Sequence, residues 1–161
     1  MHWFLDFVGF QFPNVGFIIK EITILSGDGD RCYNYFITGP EYINIENYKT
    51  YNYQYDLHRL RWEFGDYEYC EAMLDIASKL RCDPVYIKGR EKYNFISSQF
   101  AKPNFIELTY IPSYKLLNNC VHERCEVKHG NHCARRKAYE LRHAYQDLSR
   151  EKQNAETFHQ L

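Results

Sequence analysis

Apolar and polar positions alternate along the first third of the chain in short blocks broken by turn residues. Trp3 to Phe10 is a short apolar run that reads as a buried strand. Asn14-Val15-Gly16 makes a turn, and the β-branched run Phe17 to Leu25 reads as a second strand. Ser26-Gly27-Asp28-Gly29-Asp30 is a hairpin loop. Tyr33 to Thr38 is a third strand closed by Gly39-Pro40. Residues 41 to 56 have no clean period; a helix or irregular turn fits around Tyr53 to Leu60. Gly65-Asp66 then opens a helix, with Asp66 as N-cap and Cys70, Met73, Leu74, Ala77 and Leu80 as its apolar stripe. Pro84 to Ile87 is a short buried strand. Gly89 to Phe100 is a helix that turns Tyr93, Phe95, Ile96 and Phe100 inward. Asn104 to Leu108 is a fifth strand and Pro112 to Leu117 a helical turn. In the last helix Ala134, Ala138, Leu141, Tyr145 and Leu148 recur every three or four residues, and the pattern fades into a frayed tail after Arg150. The predicted order is β-β-β-α-β-α-β-α: an α/β fold with a mixed five-stranded sheet and helices packed against it. Residues 1–150 form one domain and 151–161 a tail.

Composition changes this picture little. At 161 residues the chain can bury one core, and 45% hydrophobic with 25% charged residues is ordinary for a globular domain. The net charge of −1 gives no global electrostatic case for nucleic acid. Basic residues do gather late, with Arg135, Arg136, Lys137 and Arg142 as candidate phosphate contacts; a solvated helix face is the plain alternative. Aromatics reach 17%, including fifteen tyrosines, so some tyrosine is expected at the surface, where it can stack on bases or partners. No apolar run approaches the roughly 18 residues of a membrane span, and the start lacks a basic segment and a small-residue cleavage site. The expectation is an intracellular protein, cytoplasmic or nuclear, that meets no membrane. Cys32, Cys70 and Cys82 are expected as scattered buried thiols.

The densest chemistry lies in residues 120 to 139. Cys120, His122, Cys125, His129, His132 and Cys133 put six thiol or imidazole donors just ahead of the last helix. These are the ligands that tetrahedral zinc prefers. Cys120, His122, Cys125 and Cys133 are the expected set, with His129, His132 and Asp56 in reserve. Zinc held there would be structural and would staple the last helix to the sheet.

The order of elements resembles the ribonuclease H-like fold, and in particular the DnaQ-like 3′–5′ exonucleases. Those enzymes carry Asp-x-Glu on the first strand, where this chain has Asp6-Phe7-Val8. At the turn after the fourth strand the only carboxylate is Glu91. The final family motif is a His followed five residues later by Asp. Here His132 is matched, but Lys137 stands where the metal-binding Asp belongs. Two-metal phosphodiester cleavage needs several converging carboxylates, so the resemblance implies a catalytically degenerate relative. Asp6, Glu91 and His132 are then relic catalytic positions. Asp6 can also be a strand-end carboxylate satisfied by backbone or a nearby cation, and Glu91 an exposed helix residue.

Within this fold the chain resembles the Maelstrom domain of animal small-RNA silencing, a DnaQ-type domain that lost its carboxylates and gained a zinc site. Its ligands are an early-helix Glu and a Cys-x-x-His … Cys-Ala pattern. Cys120-Val-His122 and Cys133-Ala134 correspond with spacing shifted by one; Asp56 and Glu63 lie in the region of the acidic ligand. The resemblance implies a zinc-stabilised domain that binds single-stranded nucleic acid, RNA before DNA, in a silencing or antiviral setting. The alternatives are an active single-stranded RNA nuclease and a protein-interaction adaptor.

Overall fold

Two long strands at the start of the chain set up the sheet. The computed structural model describes residues 1–45, 47–108 and 132–159, with side chains through Asn154. β1 (Trp3–Phe12) pairs antiparallel with β2 (Gly16–Ser26), and β2 with β3 (Cys32–Phe36). After helices α1 (Tyr48–His58) and α2 (Tyr69–Leu80), strand β4 (Pro84–Ile87) joins β1 in parallel. Helix α3 (Arg90–Gln99) crosses to β5 (Asn104–Glu107), which lies parallel to β4, and α4 (Ala134–His159) closes the chain. The result is an α/β fold with a mixed five-stranded sheet of order β3-β2-β1-β4-β5. No helix among the described residues is long and apolar enough to cross a membrane.

Alternation along β1 divides the core between the faces of the sheet. Trp3, Leu5 and Phe7 pack with Ala72, Met73, Ile76 and Leu80 of α2 and Ile96 of α3. The opposite residues serve two separate clusters. Phe4 packs with Leu25 and with Ala138, Leu141 and Ala144 of α4, while Phe10 and Phe12 pack with Trp62 and the tyrosines of α1. Asp6 lies between these two clusters. Trp62 therefore plugs this end of the core.

Several details depart from the sequence reading. Helix α1 starts at Tyr48, earlier than expected, because the Asn47 side chain accepts the Thr50 backbone N–H at 3.0 Å and caps it. Helix α2 starts at Tyr69, not at Asp66, and its first residue has no side-chain cap. The Asp66 N–H goes instead to the Phe36 carbonyl, 3.0 Å away. The buried face of α2 is rotated toward Ala72 and Ile76, which leaves Cys70 and Leu74 exposed. Met73, Ala77 and Leu80 fit either stripe, and burying Ile76 decides between them. Of the three scattered thiols, Cys32 is half-buried and Cys82, like Cys70, is exposed. Helix α4 continues through His159, past the point where its apolar pattern fades. The expected turn at Pro112 to Leu117 lies outside the described residues, as do Cys120, His122, Cys125 and His129.

Candidate functional site

Asp6 is the only acidic side chain that β1 carries, and it is nearly buried at 6% exposure. Lys92 of α3 donates its ammonium to Asp6 Oδ1 at 2.5 Å and lies 5.4 Å from the centre of the Phe7 ring. Asp6 Oδ2 has no hydrogen-bond partner among the described residues. Lys137, in the first turn of α4, is half-buried. Burial pulls its proton affinity down and the charges of Lys92 and Lys88 add to that, while Asp6 and Glu140 oppose it. His132 precedes the helix; burial lowers its pKa, with Lys137 and Lys92 contributing. One carboxylate, three ammonium groups and an imidazole thus share one electrostatic neighbourhood at the junction of β1, α3 and α4.

Glu91 has no part in it. It is exposed on α3, and the next residue, Lys92, points at the sheet. Adjacent helical residues sit about 100° apart, so the helix presents one or the other. Lys92 is the residue that the sequence reading missed, and a lone carboxylate in an apolar strand is the signal that calls for such a cation.

Glu21 of β2 was also missed. It is fully buried, its Oε1 accepts the Ala134 backbone N–H at 2.8 Å, and its Oε2 accepts the Asn34 amide at 3.0 Å. Burial pushes its pKa up to about 7; the hydrogen bonds from Asn34 and Ala134 oppose the rise, and the charge of Asp6 adds to it. Asn34 also donates to Thr23 Oγ1, so a polar strip crosses β2 and β3 and ends at the head of α4. The visible sign was Lys20-Glu21, two charges inside an otherwise apolar strand.

The four basic residues expected at phosphates have different fates. Arg135 is exposed. Arg136 is buried and pairs with Glu140 at 3.0 Å. Lys137 is half-buried and feels the charge of Asp6. Arg142 clamps the β2–β3 hairpin, donating to the carbonyls of Gly27 and Asp28 at 2.9 Å each. Arg136 and Arg142 are therefore engaged within the fold.

The site does not fit a pair of catalytic divalent ions. Asp6 already holds an ammonium, a second ammonium lies nearby, and neither cation can coordinate a metal. Among the described residues no three His, Cys, Asp or Glu side chains group as a metal site. Cys133 alone of the expected zinc set falls within the described residues. It is fully buried, free of disulfide, and its carbonyl accepts the Lys137 N–H as α4 begins. Asp56 is a surface residue paired with Arg59 at 3.6 Å. Nearby His58 is buried against Phe10, and its Nδ1 accepts the Leu60 N–H at 3.0 Å. No family model, curated protein or solved structure matches this chain.

Proposed function

We propose that this chain is a catalytically degenerate ribonuclease H-like domain that binds single-stranded nucleic acid, RNA before DNA. The observation that carries the reading is the 2.5 Å contact between Lys92 and Asp6. The one acidic residue kept at the family's first-strand position is neutralised by a lysine, and a further lysine replaces a metal-binding carboxylate. That exchange removes metal-ion catalysis and leaves a positively charged pocket. The order of elements on which the resemblance rests is realised, with α1 as an added helix. Tyr42, Tyr48 and Tyr53 are exposed and offer flat faces to unstacked bases. Arg135 and Lys137 are the basic residues placed to meet phosphates. Zinc held by Cys133 with Cys120, His122 and Cys125 would fix the head of α4, and with it Lys137. The resemblance assigns such a domain to small-RNA silencing or defence.

The test is binding of labelled single-stranded RNA across a salt series. Affinity should fall steeply between about 50 and 200 mM salt, because each phosphate contact releases counterions. Binding that ignores salt, or an absence of binding at low salt, overturns the reading. Magnesium-dependent cleavage would overturn its degenerate part.

A further inference from the structure

The turn between β1 and β2 and the chain ahead of α1 enclose a cavity of about 340 Å³, lined by Phe12 to Val15 on one side and by Tyr42 to Ile45 with Asn47 on the other. That volume falls within the range of small-ligand sites, which combine an apolar lining with a few polar groups. Phe12, Ile43 and Ile45 supply the apolar part and belong to the cluster built on Phe10 and Trp62. Phe12 ends a near-parallel stack of rings: it lies 5.6 Å from Phe10 at 6°, and Phe10 lies 4.8 Å from Tyr51 at 7°.

The polar part is uncommitted. Tyr42 is 87% exposed. Its ring makes no ring contact among the described residues. Asn14 and Asn44 are exposed, and their carboxamides make no hydrogen bond among the described residues. Asn47 differs, since its oxygen caps α1 through the Thr50 N–H. No lining residue is charged.

This chemistry narrows the occupant. A phosphate or carboxylate would give up its hydration here with no cation to replace it. A purely apolar group would cover the carboxamides and leave them without partners. A nucleobase suits both parts. It has a flat face for a tyrosine ring and an edge of donors and acceptors, and a carboxamide offers one of each, the match it makes with adenine.

We propose that this cavity takes one unstacked base of a single-stranded nucleic acid, with Tyr42 against its face and Asn14 or Asn44 on its edge. The inference rests on the nucleic-acid reading above and names a place where a base, and not a phosphate, is held. Because the lining is uncharged, the gain from the base does not depend on salt, whereas phosphate contacts do.

The experiment compares a short labelled oligoadenylate with its abasic counterpart of equal length, by fluorescence anisotropy across a salt series. Wild type should bind the oligoadenylate about fivefold or more tighter, the size expected of one base stacked on an aromatic ring. That ratio should hold while both affinities fall with salt. Tyr42→Ala, at an exposed position, should lower the oligoadenylate affinity about fivefold or more and leave the abasic affinity unchanged. Asn14→Ala combined with Asn44→Ala should lower it in the same selective way. Equal binding of the two oligomers by wild type overturns the proposal and leaves the nucleic-acid reading standing on phosphates alone. A ratio that survives Tyr42→Ala places the base elsewhere and overturns the proposal, as does a ratio that vanishes with added salt. No binding of either oligomer at low salt overturns both readings.

Discussion

Glu21 of β2 and Ala134 of α4 stand 113 residues apart and are joined by a 2.8 Å hydrogen bond from the Ala134 N–H to Glu21 Oε1. The first N–H groups of a helix have no partner within it. Here a buried strand residue supplies one, and so fixes where α4 begins against the sheet. That start sets the positions of Cys133 and Lys137.

Glu21 should leave a pH signature in stability. Its native pKa is raised to about 7 from an ordinary 4.5, so the folded state holds the proton more tightly than the unfolded chain. Its contribution is therefore greatest below pH 4.5 and is lost as pH rises through 7. The stability of wild type relative to Glu21→Gln should fall by on the order of 3 kcal/mol across that window. Thermal melts of the two proteins at several pH values measure it. A difference that stays flat, or grows with pH, would show that the carboxylate is ionised throughout.

The zinc expectation makes a separate claim on the same helix. Cys133→Ser keeps the size of the side chain and removes the thiolate. Protein purified without a histidine tag should carry about one zinc per chain in wild type and much less in the variant, by elemental analysis. The variant should also melt at lower temperature, and chelator should lower the melting temperature of wild type only. A wild type without zinc would refute the metal site while leaving Cys133 as a core thiol.

The proposal that the Asp6 pocket holds no catalytic metal can be checked by placing a second carboxylate in it. Wild type should show no change in melting temperature with millimolar magnesium or manganese, because Asp6 is held by Lys92. Lys137→Asp removes one ammonium and brings a second carboxylate to Asp6. Manganese should then raise the melting temperature by about 2 °C, since a ligand that binds only the folded state stabilises it. Stabilisation of wild type by magnesium would mean that the native pocket binds metal after all.

Much of the frame was legible in the sequence because strands and helices announce themselves by period. β4 is bounded as read, Pro84 to Ile87, and Ala134, Ala138 and Leu141 are buried as the period implies. Periodicity fails where two stripes compete, as on α2, where Ile76 outweighs Leu74. It also says nothing of pairs brought together by the fold. Asp6 was singled out as a relic, but its partner Lys92 lies on another element, and Glu91 beside it was the visible carboxylate. Glu21 and Lys20 looked like strand charges, and only the packing of α4 and of the segment around Trp62 shows what they hold. Motif spacing singled out His132 and Lys137, and the charge of Lys92 acts on both in the fold.

Lys20 supplies the last prediction. Val8 pairs with Glu21 but Gly9 pairs with Ile19, so Lys20 is an extra residue in β2, a bulge that re-aims its side chain. The side chain is fully buried, and Nζ donates to the carbonyls of Ile37, Trp62 and Phe64 at 2.5, 2.6 and 2.6 Å. Burial lowers its pKa to about 7, and Glu63 opposes the shift. The three carbonyls favour the ammonium too, since each takes one of its protons. Two of them belong to the segment that seats Trp62 on Phe10 and Phe12. Lys20→Met should take the ammonium from the Ile37 and Phe64 carbonyls, while Trp62 O keeps the Gly39 N–H at 2.6 Å, and destabilise by about 2 kcal/mol or more. In Trp3→Phe protein, which leaves Trp62 as the sole indole, the same change should shift tryptophan emission to the red. Lys20→Arg should not rescue it, because a planar guanidinium cannot send three N–H groups into the same three directions. Gly9→Ala should weaken the bulge from the other side, since a Cβ there would lie 1.9 Å from the Ile18 carbonyl oxygen. If Lys20→Met melts like wild type, the ammonium is not what holds the Trp62 segment to the sheet.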